Sequence, residues 1–375
     1  MSALKLGALR LTDSAPLIVA HEFGFFADEG LDVVLGLEPS WANVADKLAH
    51  GALDAAAILP PLAFAISLGA RGPRVPLIIP YALSTGGNTV TLAVDLANRV
   101  RARARETGAL AALAEALQAQ SGATLGIVHE YSTHSLLLRY GLAAEGALAG
   151  RDYELAVVPP ARSVEALQAQ RILGFCAGAP WGEVAARAGI GATVATSHAI
   201  WRNAPEKALA VRESWASANA TALAALMRAL YRAARFCDAA ENASYVASLL
   251  SRRAYLGIDS HAILSSLPGS QTMSRFLAGA ATYPWASQGL WFLAQMRRWG
   301  LIGSDAPLRD IAARVYRPDL YAEALAPLGA AIPASPWKDE GAHQQAWTLP
   351  ATPAPLAMGP DAFCDGVVFS PEHDG

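Results

Sequence analysis

Charge is scarce in this 375-residue chain. Asp, Glu, Lys and Arg make up 16% of it, and the formal net charge is −3. That balance offers no basic face for a nucleic acid. Apolar residues are plentiful at 53%, which excludes a disordered or fibrous chain. Even so, no run of about 18 uncharged apolar residues occurs, so no membrane-spanning helix is expected. The start, MSALKLGALRLTDSAP, has Lys5 and Arg10 interrupting its apolar residues and a turn near Pro16. It reads as a first strand and not as a secretory signal. Cysteine is sparse too. Cys176, Cys237 and Cys364 are odd in number and far apart, which argues against a disulfide framework and fits a reducing compartment.

Catalytic signatures are also missing. There is no G-x-G-x-x-G opening a helix, no G-x-x-x-x-G-K-[ST], no G-x-S-x-G, no H-E-x-x-H and no paired C-x-x-C. The eight histidines are scattered. His129 and His134 do not have the spacing of two metal ligands on a helix, so no metal site is expected.

What is present is an alternation of strand and helix, which implies parallel strands with crossover helices. The length suggests two domains or one bilobed unit. ALKLGALRL, LDVVLGL and LDAAAIL read as strands of a first series, which VPLIIPYAL and NTVTLAV extend. ATLGIVH, YELAVVPP, ILGFCAG and ATVATS form a second series. The two series share a pattern: Pro39, Val44 and Pro60 match Pro160, Val164 and Pro180. Two similar halves predict two lobes, with a site at the carboxyl ends of the strands. From Pro205 the chain reads as helical, on its Ala/Leu-rich apolar periodicity. The tail after Gly329, rich in proline and small residues, is expected to wrap the surface or to be partly ordered.

Several residues sit where a ligand would. Ser132 or Thr133 can cap a helix, which puts His134 in its first turn, where free N–H groups attract anions. There His134 is expected to be a neutral donor. A capping-turn histidine without a ligand fits the same spacing. Trp41 opens a second helix behind Ser40, where a plain hydrophobic anchor is equally compatible. Gly87 and Asn88 lie in TGGNTVT, where glycine permits close approach and the amide can donate; an ordinary turn reads the same. Pro180 and Trp181 mark a strand-to-helix junction in GAPWG. Lys207, in the first turn of a helix expected to start at Pro205, is set against the dipole preference unless an anion binds. Arg99, Arg101, Arg103 and Arg105 spread round a helix as a solvated face.

In order along the chain, GFFADEGLDVVL, SWANVADKLAHGALDAAAILPPLAFAISLG, STHSLLLRYGLAAEG, GFCAGAPWG, IWRNAPEKALAV and VYRPDLYAEA together resemble the nitrate/bicarbonate solute-binding family of ABC transporters. The resemblance runs roughly from Leu4 to Ala324. It implies an α/β, type II periplasmic-binding-protein fold: two Rossmann-like lobes with a ligand cleft between them. It implies no catalytic residues, cofactor or metal. Residues 1–92 with 200–375 would form lobe I, and 93–199 lobe II. The ligand set carried over is Trp41, Gly87, Asn88, His134, Pro180, Trp181 and Lys207. Ala179 stands where the family's E-P-W segment has an acid. Bicarbonate-type members lack the His/Lys pair and use an acidic, calcium-assisted site, so His134 with Lys207 resembles the nitrate type.

Because the chain begins at its first strand, it looks most like NasS-type sensors. The resemblance then implies a cytoplasmic nitrate/nitrite sensor controlling nitrate assimilation. Its partner would be a NasT-type antiterminator (an ANTAR regulator that binds RNA), held without ligand and released on binding, with no direct nucleic-acid contact by this chain. The alternative is the binding subunit of a nitrate ABC transporter whose signal peptide is absent from the sequence. A third reading, an enzyme similar to thiamin-pyrimidine synthases, needs a cysteine-rich segment that this sequence lacks.

Overall fold

The computed structural model describes residues 3–269 and 274–373. Ten strands build two five-stranded sheets. The first contains β1 (Leu4–Leu9), β2 (Val33–Glu38), β3 (Ala55–Ile58), β4 (Leu77–Ala82) and, much later in the chain, β10 (Ala208–Arg212). The second contains β5 (Asn88–Ala93), β6 (Thr124–Ile127), β7 (Glu154–Val157), β8 (Gly174–Gly178) and β9 (Gly191–Thr196). The strand orders are β2-β1-β3-β10-β4 and β7-β6-β8-β5-β9. In each sheet three neighbouring strands pair in parallel, and the fourth position holds an antiparallel strand that comes from the other lobe. The halves suggested by the Pro39/Pro160 and Pro60/Pro180 match therefore share one topology.

Side-chain alternation shows why the first sheet is covered on both faces. In β3, Ala55 and Ala57 enter one core, while Ala56 and Ile58 enter the other. In β10, Leu209 and Val211 join the first, and Ala208 and Ala210 the second. A strand buried on both faces reads as continuous small or apolar sequence. One face packs under the helices Ala15–Glu22 and Ala220–Asp238. The other packs under Trp41–Ala49, Pro60–Leu68 and Ala286–Arg298, and that core continues into the second lobe.

Two expectations are corrected. Asn88–Ala93 does not extend the first sheet; it lies in the second, between β8 and β9. The chain turns away at Gly86 (φ 71°) and Gly87 (φ 86°), left-handed positions that glycine occupies without steric cost. The strand therefore pairs on the far side of the crossover, and the first lobe's sheet ends before Asn88. The segment after Pro205 does not begin as a helix either. Ala208–Arg212 is a strand paired on both edges, with β3 and β4, so tertiary pairing overrides the helical propensity of ALAVR. The first helix after it starts at Glu213. The tail is ordered where it is described: Phe363 packs on Tyr140, Trp201 and Trp291.

The crossovers between the lobes run side by side. Leu83 N–H donates to Lys207 O (2.7 Å), Glu206 N–H to Ser84 O (2.9 Å) and Gly86 N–H to Ala204 O (2.8 Å). No helix among the described residues is long and apolar enough to cross a membrane.

Candidate functional site

The parallel strands of both sheets run toward the gap between the lobes, and the antiparallel β5 and β10 start there. This geometry gathers side chains scattered through the sequence. Asp13 follows β1 and Trp41 follows β2. Asn88 opens β5, His134 follows β6, Gly178 ends β8, and Lys207 precedes β10.

Local sequence sets two of these positions. The Ser40 hydroxyl accepts from Asn43 N–H (3.3 Å), capping the helix that Trp41 opens. The Ser132 hydroxyl accepts from Ser135 N–H (3.0 Å), capping Thr133–Ala144 and placing His134 in its first turn. Both caps satisfy N–H groups that would otherwise be orphaned at the helix start.

The side chains converge. Lys207 is 1% exposed, His134 0%, and Trp41 and Asn88 1% each. Lys207 Nζ lies 2.8 Å from Asp13 Oδ2 and 2.9 Å from Glu206 Oε1. It also sits 5.4 Å from the centre of the Trp41 ring, within cation–π range. The Asn88 amide nitrogen donates to Glu206 Oε2. His134 Nδ1 is 3.9 Å from Glu206 Oε1, beyond hydrogen-bond reach.

Electrostatics follow from burial. Burial pushes the His134 imidazole well below its ordinary pKa, and the Lys207 charge pushes it the same way. The ring is therefore neutral. Burial alone would lower Lys207, but Asp13 and Glu206 outweigh it and raise its pKa. Burial raises the Glu206 carboxyl against the opposing pull of Lys207. Lys207 is the fixed cation, and burial moves the Glu206 carboxyl toward its neutral form.

Polar atoms are left over. Trp41 Nε1, Thr133 Oγ1, Asn88 Oδ1 and both His134 ring nitrogens are buried without a hydrogen-bond partner. Buried polar groups are nearly always paired, and each unpaired one costs about 1–3 kcal/mol. The donors among them, buried in the same cluster as the Lys207 ammonium, are free to serve a small ligand that accepts hydrogen bonds.

The other anticipated residues are less central. Gly87 accepts from Ala179 N–H (2.9 Å) through its carbonyl, and a side chain at Gly87 would collide with Ser274. Pro180 is buried beside Gly178, and a Cβ on Gly178 would come within 3.6 Å of both Asn88 Oδ1 and Asp13 Oδ2. Trp181 is half-buried against the core and makes no hydrogen bond to the cluster. Asp13 and Glu206 were not anticipated. Glu206 stood inside APEKALAV, and Asp13 lies in the short turn of helix Thr12–Ser14 just beyond the first strand. An acid at a strand's carboxyl end, in a chain so poor in charge, was the available signal. The Ala179 position left without an acid takes part through its backbone: Ala179 O accepts from Thr12 N–H (2.9 Å), a bond between the lobes. A separate cavity of about 320 Å3 lies behind the crossovers, lined by residues including Thr85, Arg275 and Lys338.

Residues 1–251 match the NMT1-like family. Over 100% of this chain and 83% of its own length, a nitrate/nitrite binding protein NrtA of Synechocystis is 31% identical. The chain belongs to the nitrate/bicarbonate solute-binding family of ABC transporters. The crystal structure of the periplasmic nitrate-binding protein NrtA from Synechocystis superposes with a TM-score of 0.86 at 29% identity, covering 100% of this chain and 97% of that one. The architecture is thus the periplasmic-binding-protein fold. A nitrate import ATP-binding protein NrtC of Synechocystis is 35% identical over 98% of this chain, which spans only 53% of that relative's length.

Proposed function

We propose that this chain binds nitrate or nitrite between its lobes and serves as the solute-binding component of an ABC importer. One observation carries the reading: a fully buried ammonium, Lys207, over the Trp41 ring, in a site region that also holds buried donors with no partner on Trp41, Thr133 and His134. A small monovalent anion makes few contacts, so its affinity must come from charge-assisted bonds in a site shielded from water. Lys207 supplies charge, His134 and Asn88 hydrogen bonds, and Trp41 a flat wall. The periplasmic NrtA relative supports the transport role. The ligand-responsive units are the lobe built on β1–β4 with β10 and the lobe built on β5–β9. An anion favours closure only by its differential affinity for the closed state.

Calorimetry with nitrate, nitrite, bicarbonate and sulfate tests the ligand. Heat with nitrate or nitrite supports the assignment; binding of only another solute ends it.

The second reading is the cytoplasmic sensor that holds a NasT-type antiterminator. The discriminating measurement is a pull-down with the antiterminator. Capture without nitrate and release with it selects the sensor; no capture in either condition leaves transport.

A further inference from the structure

The charge count in the cleft is the wrong sign for an anion. Lys207 contributes one positive charge, and Asp13 and Glu206 one negative charge each, at 2.8 and 2.9 Å from it. His134 is neutral, and burial keeps the Cys176 thiol, a further titratable group near Glu206, protonated. The buried cluster therefore carries a net charge of −1 when both carboxyls are ionised. A nitrate would make it −2 in a place with almost no water. Unpaired buried charge costs several kcal/mol, and a carboxylate offers an anion only lone pairs.

Accepting the nitrate/nitrite reading above, we propose that Glu206 becomes a neutral carboxylic acid when the anion is bound, so that each nitrate or nitrite enters the cleft together with one proton from solvent. The proton has a place. On Glu206 Oε2 it faces the Asn88 amide, whose nitrogen now donates to that oxygen. Asn88 Oδ1 is buried with no partner, on the side where Gly178 and Asp13 border the cleft. Turning the amide over lets Glu206 O–H donate to Asn88 Oδ1. The Asn88 NH2 group then takes the place of the unpartnered oxygen and presents a donor. Glu206 Oε1 keeps its bond from Lys207. The cluster becomes neutral before the anion and −1 with it, and the unpartnered acceptor Asn88 Oδ1 is replaced by a donor. Burial already raises the Glu206 carboxyl toward this form. The same logic sets specificity: bicarbonate carries its own O–H and can meet an ionised Glu206, whereas nitrate cannot.

Calorimetry of the whole chain with sodium nitrate, in buffers of different ionisation enthalpy, counts the protons. Uptake close to one per anion is expected. Kd should rise about tenfold per pH unit over the range in which Glu206 is ionised in the free protein. Glu206→Gln, neutral at every pH and able to accept from Lys207, should keep the affinity seen at low pH and lose both the uptake and the slope. Nitrate binding with no proton uptake across that range overturns the proposal. So does a Glu206→Gln variant that retains the slope, particularly if His134→Asn then abolishes it. If nitrate and nitrite give no heat while another anion binds, the ligand assignment fails on its own, and the proton count with that anion still decides the role of Glu206. If no anion binds at any pH, both fall.

Discussion

Lys207 Nζ stands 2.8 Å from Asp13 Oδ2, and both side chains are sealed from solvent. Asp13 follows β1 and Lys207 precedes β10, so this ion pair also ties distant parts of the first lobe together. Removing the cation from such a pair leaves an uncompensated buried carboxylate, at a cost of about 3–5 kcal/mol. Lys207→Met should therefore destabilise the anion-free protein by that amount as well as weaken anion binding more than about tenfold. Urea unfolding without ligand checks it. Adding Asp13→Asn should restore part of the loss. An unchanged midpoint in the single variant would mean that Asp13 and Glu206 are not held as charges by Lys207.

His134 should behave in the opposite way. Neither ring nitrogen has a protein partner, so replacing it breaks no hydrogen bond of the free protein. His134→Leu should weaken nitrate binding by about tenfold or more, the worth of one charge-assisted or buried hydrogen bond. The melting temperature of the free protein should hold or rise, because an unsatisfied buried polar group is gone. A large drop in stability with unchanged affinity would place His134 in the scaffold and not in the site.

Much of this arrangement was legible in the sequence. Helix caps are local chemistry, so Ser40 and Ser132 announced the turns that present Trp41 and His134. The two-lobed α/β plan followed from alternation and from the proline-marked similarity of the halves. What stayed hidden depends on long-range pairing. ALAVR has the composition of a helix and becomes β10 only because β3 and β4 are open on either side of it. Asn88–Ala93 looks like one more strand of the first sheet until the glycine turn sends it to the second. Glu206 was passed over for its neighbour Lys207, because a carboxylate does not suggest an anion site until its partners are seen in three dimensions.

His129 offers a pH test away from the cleft. Its Nδ1 accepts from Tyr131 N–H (3.1 Å), and the Tyr131 hydroxyl donates to Ala70 O across to the first lobe (3.2 Å). Burial first, and then the charge of Arg71, bring its pKa from 6.5 down to about 4. A depressed folded pKa means that the unfolded chain takes up its proton first. The stability from a neutral His129 is full above about pH 6.5 and is lost as pH falls toward about 4, to a total on the order of 3 kcal/mol. His129→Asn keeps an acceptor but cannot titrate, so its unfolding free energy should fall less over that window. Denaturant midpoints taken at a series of pH values decide this, and parallel curves for the two proteins would rule His129 out as the source.

The tail should matter to the fold although it follows the last helix by many residues. Phe363 is buried, with its ring 4.7 Å from Trp201, 5.3 Å from Tyr140 and 5.7 Å from Trp291 between centroids. Trp201 lies on a crossover, Tyr140 on a helix of the second lobe, and Trp291 on a helix of the first. Asp365 Oδ2 also accepts from the Tyr140 hydroxyl (2.8 Å). One aromatic ring thus joins both lobes at the hinge, and its loss would leave a cavity that three large side chains cannot fill. Phe363→Ala should cost about 3–5 kcal/mol, whereas Asp365→Asn, which keeps an acceptor at a half-exposed site, should cost under about 1 kcal/mol. Because the tail would no longer be pinned, protease should cut it faster in the Phe363 variant than in wild type. Equal unfolding midpoints and equal cleavage rates would show that the tail rests on the lobes without holding them.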